Sequence, residues 1–271
     1  MRKLIRFLLL LSALLLVKVL CHRATDGFAL WKIRSEHIFD PRWEVSFPKE
    51  ETTVQSALQQ KFHYWCKGGQ CYVFLSEDGQ FVLKFFKFSH LKGKRWKKDF
   101  KSYKLAYEEL RRESALLLLH LNPTVNRYGK LTLVDRLHIE HVLSLDDTLF
   151  LLQRRAELIF PSLSASMEKG DVEGAKNKIS SLVQLLFCRA ERGIEDNDSN
   201  VRKNFGFIDG RAVMIDVGRL KKREGAKPSI KGEDWADWLK ERFPELWHHF
   251  LKEYEKVSNL DTARSISPSP L

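Results

Sequence analysis

The chain opens on its longest apolar run. Phe7 to Val17 is apolar but for Ser12, with Arg2, Lys3 and Arg6 ahead of it and Lys18 behind. The run predicts a helix, but it falls short of the ~20 apolar residues that a membrane-spanning helix needs. Residues 1–21 therefore read as a signal-anchor or uncleaved signal, with a cleaved signal peptide and a buried amphipathic helix as the other readings. Residues 22–60 read as a connecting arm, with Trp31, Ile33, Ile38, Trp43, Val45 and Phe47 available to dock it. The pattern then turns strand-like. Tyr72–Leu75 and Phe81–Phe86 are rich in β-formers, and Glu77-Asp78-Gly79-Gln80 between them is a hairpin turn signal.

A basic stretch leads into a predicted helix over Tyr103–Leu121, where apolar residues recur at helical spacing and Asn122-Pro123 ends the run. Strand character returns over 130–160. Pro161–Gly174 reads as a Ser- and Gly-containing loop, and Ala175–Arg192 as a helix closed by Gly193. A polar loop, Glu195–Asn204, leads to two short strands, Phe205–Ile208 and Ala212–Ile215, joined by Asp209-Gly210. Trp-rich helices are expected over about 233–257 and a disordered tail over 258–271. A strand-rich part precedes a helix-rich part, which predicts an α+β chain with two lobes: an amino-terminal lobe over 61–160 and a carboxyl-terminal lobe over 161–257.

Composition narrows this. The chain has 271 residues, 44% of them hydrophobic and 30% charged, enough for a sizeable core and too polar for a multi-span membrane protein. The formal net charge of +11 favours anionic partners. Cys21, Cys66, Cys71 and Cys188 form no CxxC pair and read as free thiols or small buried residues.

Two clusters carry candidate chemistry. Lys84 ends an apolar strand, where a lysine costs desolvation unless it meets an anion. Glu109 and Glu113, expected on one helix face, are the candidate carboxylate partners. In the second cluster, Glu195, Asp196, Asn197, Asp198, Ser199 and Asn200 crowd one loop with Asn204, and Asp216 follows four apolar strand residues with Gly218 after it. Oxygen donors in such a pattern suit a hard cation, although the ligand periodicity of a calcium loop is absent.

Taken together, these residues resemble the protein-kinase-like superfamily. Val82-Leu83-Lys84 is similar to the V-A-I-K strand, and Ile215-Asp216-Val217-Gly218 to D-F-G with Val for Phe. Asp198 and Asn204 resemble the catalytic-loop Asp and Asn, and Asp198 and Asp216 stand eighteen residues apart. The resemblance covers about residues 60–220. It implies a kinase-like fold, with a small antiparallel sheet plus one helix in the first lobe, a compact helical second lobe and a hydrophobic N-terminal helix. It implies ATP and Mg2+ as cofactors. Lys84 is then on the nucleotide phosphates and paired by Glu113, with Gln153 in the hinge at Phe150–Ala156. Asp216 and Asn204 hold magnesium, and Asp198 is the base.

The departures bear on activity. Only Gly68-Gly69 stand where the family has three glycines that cradle phosphate. Asn204 lies six residues after Asp198 rather than five, which leaves Asp196 or Asn200 as alternatives for a catalytic role. No A-P-E-like motif follows Asp216. The pattern is closer to compact kinases of small molecules, sugars or lipids than to protein kinases. A pseudokinase acting as a binding module is the runner-up, and a membrane-anchored structural protein the third reading.

Residues 89–104 place Trp96, Phe100 and Tyr103 among seven basic residues. An anionic membrane surface is the favoured partner. An acidic or phosphorylated substrate and RNA are the other functional readings, and a solvated basic insertion the plain one. No nucleic-acid-binding motif is present. The basic start argues for sending the body across a membrane, and Lys18, His22 and Arg23 on the far side argue against it.

Overall fold

The computed structural model describes residues 2–34, 38–46, 51–91, 95–230 and 233–266. In chain order the elements are α1 (Arg2–Ala24), α2 (Glu51–Leu58), β1 (Phe62–Lys67), β2 (Cys71–Ser76), β3 (Phe81–Phe86), α3 (Phe88–Leu91), α4 (Trp96–Glu109), α5 (Arg111–Ser114), β4 (Leu116–His120), β5 (Lys130–Val134), β6 (Glu140–Ser144), β7 (Phe150–Arg154), β8 (Glu157–Leu158), α6 (Ile159–Glu168), α7 (Val172–Glu191), β9 (Ile194–Asp196), α8 (Val201–Asn204), β10 (Phe205–Ile208), β11 (Arg211–Met214), β12 (Leu220–Lys222), α9 (Glu233–Arg242) and α10 (Pro244–Ile266). The chain is α+β, as the pattern predicts. It divides into two compact units, one made of 1–96 and 117–153, the other of 97–116 and 154–271.

The first unit is built on one sheet, whose described strands run in the order β4-β7-β3-β2-β1-β5-β6. The predicted hairpin is β2–β3, with Leu75 opposite Val82 and Gly79 at φ 70 in its turn. The sheet is larger than the sequence suggested and mixed, since β1 and β5 pair in parallel. Its inner face packs Phe62, Phe74, Leu83, Phe85, Leu131, Leu133 and Phe150 into one core.

The arm is part of this unit. Phe28, Ile33, Val54 and Ala57 join the core, and Trp43 is buried. Asn122 fastens the arm by accepting from the Asp40 amide at 3.1 Å and donating to the Asp40 carbonyl at 3.0 Å. Trp31 and Ile38, expected to dock, are 65% and 84% exposed. Phe47 lies outside the described residues.

The predicted helix over Tyr103–Leu121 is two elements. α4 starts earlier and stops at Glu109, Leu110 leaves helical geometry, and Ala115 at φ 53 turns the chain into strand β4. All five residues of β4 are buried. A buried leucine run carries no period, so strand and helix look alike in sequence. The expected loop at 161–174 is also largely helical. Pro161 sits in the first turn of α6, where its missing N–H is not needed.

In the second unit α7 begins on Asp171, whose carboxylate accepts from the Gly174 amide at 2.9 Å, and ends before Gly193 at φ 64. β11-β10-β8 form a three-stranded sheet and β12-β9 a two-stranded one. Asp209 at φ 50 and Gly210 at φ 76 make the β10–β11 turn with both central residues left-handed, the geometry that matches strand twist in a tight hairpin. α10 continues to Ile266, past the expected helix end, and 267–271 lie outside the described residues.

Candidate functional site

The polar loop is a folded device in the second unit. It begins as β9, paired with β12 so that Asp196 faces Leu220. Asp196 is 3% exposed, and its Oδ1 accepts from the Asp198 amide at 2.8 Å. Its Oδ2 lies 3.3 Å from Nη1 of Arg189, which is itself fully buried on α7. A second Arg189 nitrogen donates to the Ser229 carbonyl at 3.0 Å. Burial pushes the Asp196 carboxyl above its ordinary value, and the negative charges of Asp198 and Asp216 add to this against the pull of Arg189. Three carboxylates therefore lie within electrostatic reach, with only Asp196 withdrawn from solvent. Asp198 and Asp216 are exposed.

Asn204 ties together the backbone of the two exposed aspartates. Its Nδ2 donates to the Asp198 carbonyl. Its own carbonyl accepts from the Ile215 amide at 2.7 Å and sits 3.5 Å from the Asp216 amide. Asn204 is held in turn by donating its amide to the Asn200 carbonyl at 2.9 Å. Asp216 is oriented by accepting from the Gly218 amide at 3.0 Å. The sequence reading brings Asp198, Asn204 and Asp216 together, and the hydrogen bonds join them into one assembly.

Helix α4 braces the assembly from behind. The Ser102 hydroxyl is buried, donates to the Val217 carbonyl and accepts from the Leu220 amide at 2.6 Å. Sequence reasoning passed over Ser102, Arg189 and Asp99, a buried carboxylate on the same helix. A serine inside an apolar helical face and an arginine next to a helix end carry no local mark of their role. Only the fold shows what they touch.

The glutamates differ from the expectation of one shared helix face, because α4 ends between them. Glu113 Oε1 lies 3.1 Å from Arg192 Nη2 and accepts from the Cys188 thiol at 3.4 Å. Glu109 pairs with Lys222. Both contacts lie inside the second unit. Burial, with Glu113 beside it, pushes the Cys188 thiol up.

Lys84, Gly68, Gly69 and Gln153 belong to the first unit. Lys84 sits opposite Val73 in the β2–β3 ladder and is partly buried. Its charge reaches Cys66, where it opposes the burial that raises that thiol. Gln153 is buried in β7. Gly68 and Gly69 turn β1 into β2, with the Gly68 amide donating to the Cys71 carbonyl at 2.9 Å. A Cβ at either glycine would meet open space.

The basic stretch is not an aromatic-studded surface. Phe100 and Tyr103 are buried, and Lys92 and Lys94 lie outside the described residues.

The donor set suits a hard divalent cation in kind: two exposed carboxylates and the Oδ1 of Asn204. Among the described residues no group of three or more His, Cys, Asp or Glu is placed to hold a metal.

No protein-family model matches the chain, and no curated protein matches it. Several solved structures do, at low similarity. A 2.2 Å crystal structure of WbdD matches with TM-score 0.35 and 16% identity over 72% of this chain and 46% of that one. A co-crystal of WbdD with the kinase inhibitor LY294002 matches with TM-score 0.35 and 15% identity, over 71% and 44%. The erythromycin complex of Rv3197 from Mycobacterium tuberculosis matches with TM-score 0.28 and 11% identity, over 77% and 60%. WbdD is described as a bifunctional kinase-methyltransferase. The chain spans about half the length of the WbdD chains it matches. Likeness at this level carries no argument about substrate or partner.

Proposed function

We propose that this chain is a membrane-anchored, kinase-like phosphotransferase that moves a nucleotide γ-phosphate to a hydroxyl acceptor. The observation that carries the reading is the hydrogen-bonded assembly in which Asn204 fastens the Asp198 carbonyl to the start of the Asp216 segment. Phosphoryl transfer asks for charge neutralisation and in-line placement more than for covalent help from the protein. In this reading Asp198 accepts the proton of the attacking hydroxyl. Asn204 and Asp216 would hold magnesium, which when bound neutralises phosphate charge. Lys84 meets the nucleotide phosphates. Asp196 serves as a positioning residue, since it is buried against Arg189 and spends one oxygen on the Asp198 amide. Anchoring rests on α1, whose Lys3–Ala24 stretch of 22 residues is long and apolar enough to cross a membrane and is 0% buried. A signal sequence meets the same description.

The test is a nucleotide thermal shift on the full chain in detergent, with and without magnesium. A magnesium-dependent shift with ATP, lost in Asp216→Ala, supports the reading. No shift with any nucleotide removes it.

One observation favours a second reading, a pseudokinase that binds without turnover. Neither Gly68 nor Gly69 adopts a left-handed φ, so the β1–β2 turn shows no glycine-dependent conformation of the kind that lets backbone amides close on phosphates. Binding without measurable ATP consumption would decide for it.

A further inference from the structure

The end of α1 is bolted to the first unit. Asp26 at φ 51 and Gly27 at φ 73 stop the helix, and the Gly27 amide donates to the His22 carbonyl at 2.8 Å. Asp26 then takes Tyr64 Oη at 2.7 Å and Lys67 Nζ at 2.8 Å, both from β1. The Gly27 carbonyl accepts from the buried Tyr72 hydroxyl at 2.7 Å. Phe28 enters the core edge-on to Tyr72 and Phe74, with ring centroids 5.3 and 5.2 Å away. No flexible tether separates the apolar helix from the sheet.

Beside that exit lies the β5–β6 turn. Arg136 reaches the Arg23 carbonyl at 3.5 Å. The turn is internally fixed: Asp135 Oδ1 accepts from the Leu137 amide at 2.8 Å and the Ile139 amide at 3.0 Å, and Asp135 Oδ2 lies 2.8 Å from His141 Nε2. Yet it presents apolar side chains to solvent, with Leu137 48% and Ile139 52% exposed. A turn that only reverses the chain is usually built of polar residues. This one holds two aliphatic side chains outward on a rigid frame, with Arg136 beside them and Arg23 in the last turn of α1.

The geometry points to the β5–β6 turn as a membrane-docking element: Leu137 and Ile139 enter the bilayer interface beside the point where α1 emerges, and Arg136 meets anionic headgroups. The inference rests on the membrane-anchor reading of α1. If α1 spans, the nearest surface of a unit attached within one turn of its end lies at headgroup depth. There, exposed aliphatics gain burial and a guanidinium gains attraction from an anionic leaflet. The anchor and the turn would then fix the tilt of the sheet on the membrane, which a single helix leaves free to swivel.

The experiment uses the full chain, with the native cysteines at 21, 66, 71 and 188 changed to Ala, in nanodiscs of phosphatidylcholine and phosphatidylglycerol. A spin label is placed at Leu11→Cys in α1, at His138→Cys in the turn, or at Glu77→Cys on the β2–β3 turn at the other end of the sheet. Collision with oxygen and with a water-soluble nickel chelate reports depth. The expected result is a Leu11 label in hydrocarbon, a His138 label shielded from nickel and a Glu77 label fully open to it. Changing Leu137 and Ile139 together to Ser should restore nickel collisions at 138 and leave the Leu11 label in place. A buried Leu11 label with a His138 label as open as the Glu77 label overturns the docking inference alone. An aqueous Leu11 label overturns the anchor reading, and the docking inference with it.

Discussion

The Arg189 guanidinium and the Asp196 carboxylate face each other at 3.3 Å with both side chains out of water. One sits in α7 and the other in β9, so the pair ties that helix to the start of the polar loop. Removing one partner leaves a charge stranded in the interior. Arg189→Met should cost about 3–5 kcal/mol in denaturant unfolding, while changing both residues to apolar ones should cost less than the two single changes added together. Additive losses across that double-mutant cycle would show that the pair is not coupled.

The two exposed carboxylates should separate by their kinetics. Asp216→Asn should weaken magnesium-dependent nucleotide binding. Asp198→Asn should leave binding near normal and lower turnover by about 10²–10⁴, the range for loss of a general base. Asp196→Asn keeps an acceptor for the Asp198 amide, so its main effect should be on stability. Isothermal titration and single-turnover assays distinguish these outcomes. Equal loss of binding in the Asp198 and Asp216 variants would contradict the assigned roles.

Ser102 offers a test away from any charge. Its hydroxyl bridges the Val217 carbonyl and the Leu220 amide. Ser102→Ala leaves both backbone groups without that partner and should cost about 1–3 kcal/mol. Hydrogen exchange at Leu220 should quicken along with it. Unchanged exchange there would mean that α4 does not brace the Asp216 segment.

His120 sets an acid limit on the first unit. Its Nδ1 lies 2.7 Å from the Thr148 carbonyl, which only accepts, so that nitrogen carries the proton of the neutral ring. Burial lowers its pKa from 6.5 to about 4. The folded chain thus binds fewer protons than the unfolded one between those values. Stability should be full above about pH 6.5 and fall as pH drops toward 4, by on the order of 3 kcal/mol. Asp196, raised by burial, works in the opposite direction, so His120→Gln isolates the effect. A variant with the same acid slope as the parent chain would rule out His120 as its source.

The site was legible in sequence where chemistry is local. Asp198, Asn204 and Asp216 stand close enough in the chain, around one hairpin, for short-range pairing to join them. The turn at Asp209-Gly210 was readable for the same reason. The brace was not legible: Ser102 meets Val217 across more than a hundred residues, and nothing in the neighbourhood of either residue announces it. The predicted helix over Leu116–His120 erred because a uniform leucine run has no phase to read.

By itself, the sequence determined the α+β class, the β2–β3 and β10–β11 hairpins, the apolar opening and the polar loop. Each of these follows from propensity, periodicity or turn chemistry within a few residues. The tertiary structure alone decided that β4 is a strand, that the arm carrying Phe28 and Trp43 is part of the first unit, and that Asp196 is buried while Asp198 and Asp216 meet solvent. Burial is a property of what surrounds a residue in space, and adjacent carboxylates in one loop end in different surroundings only when a distant guanidinium arrives to hold one of them.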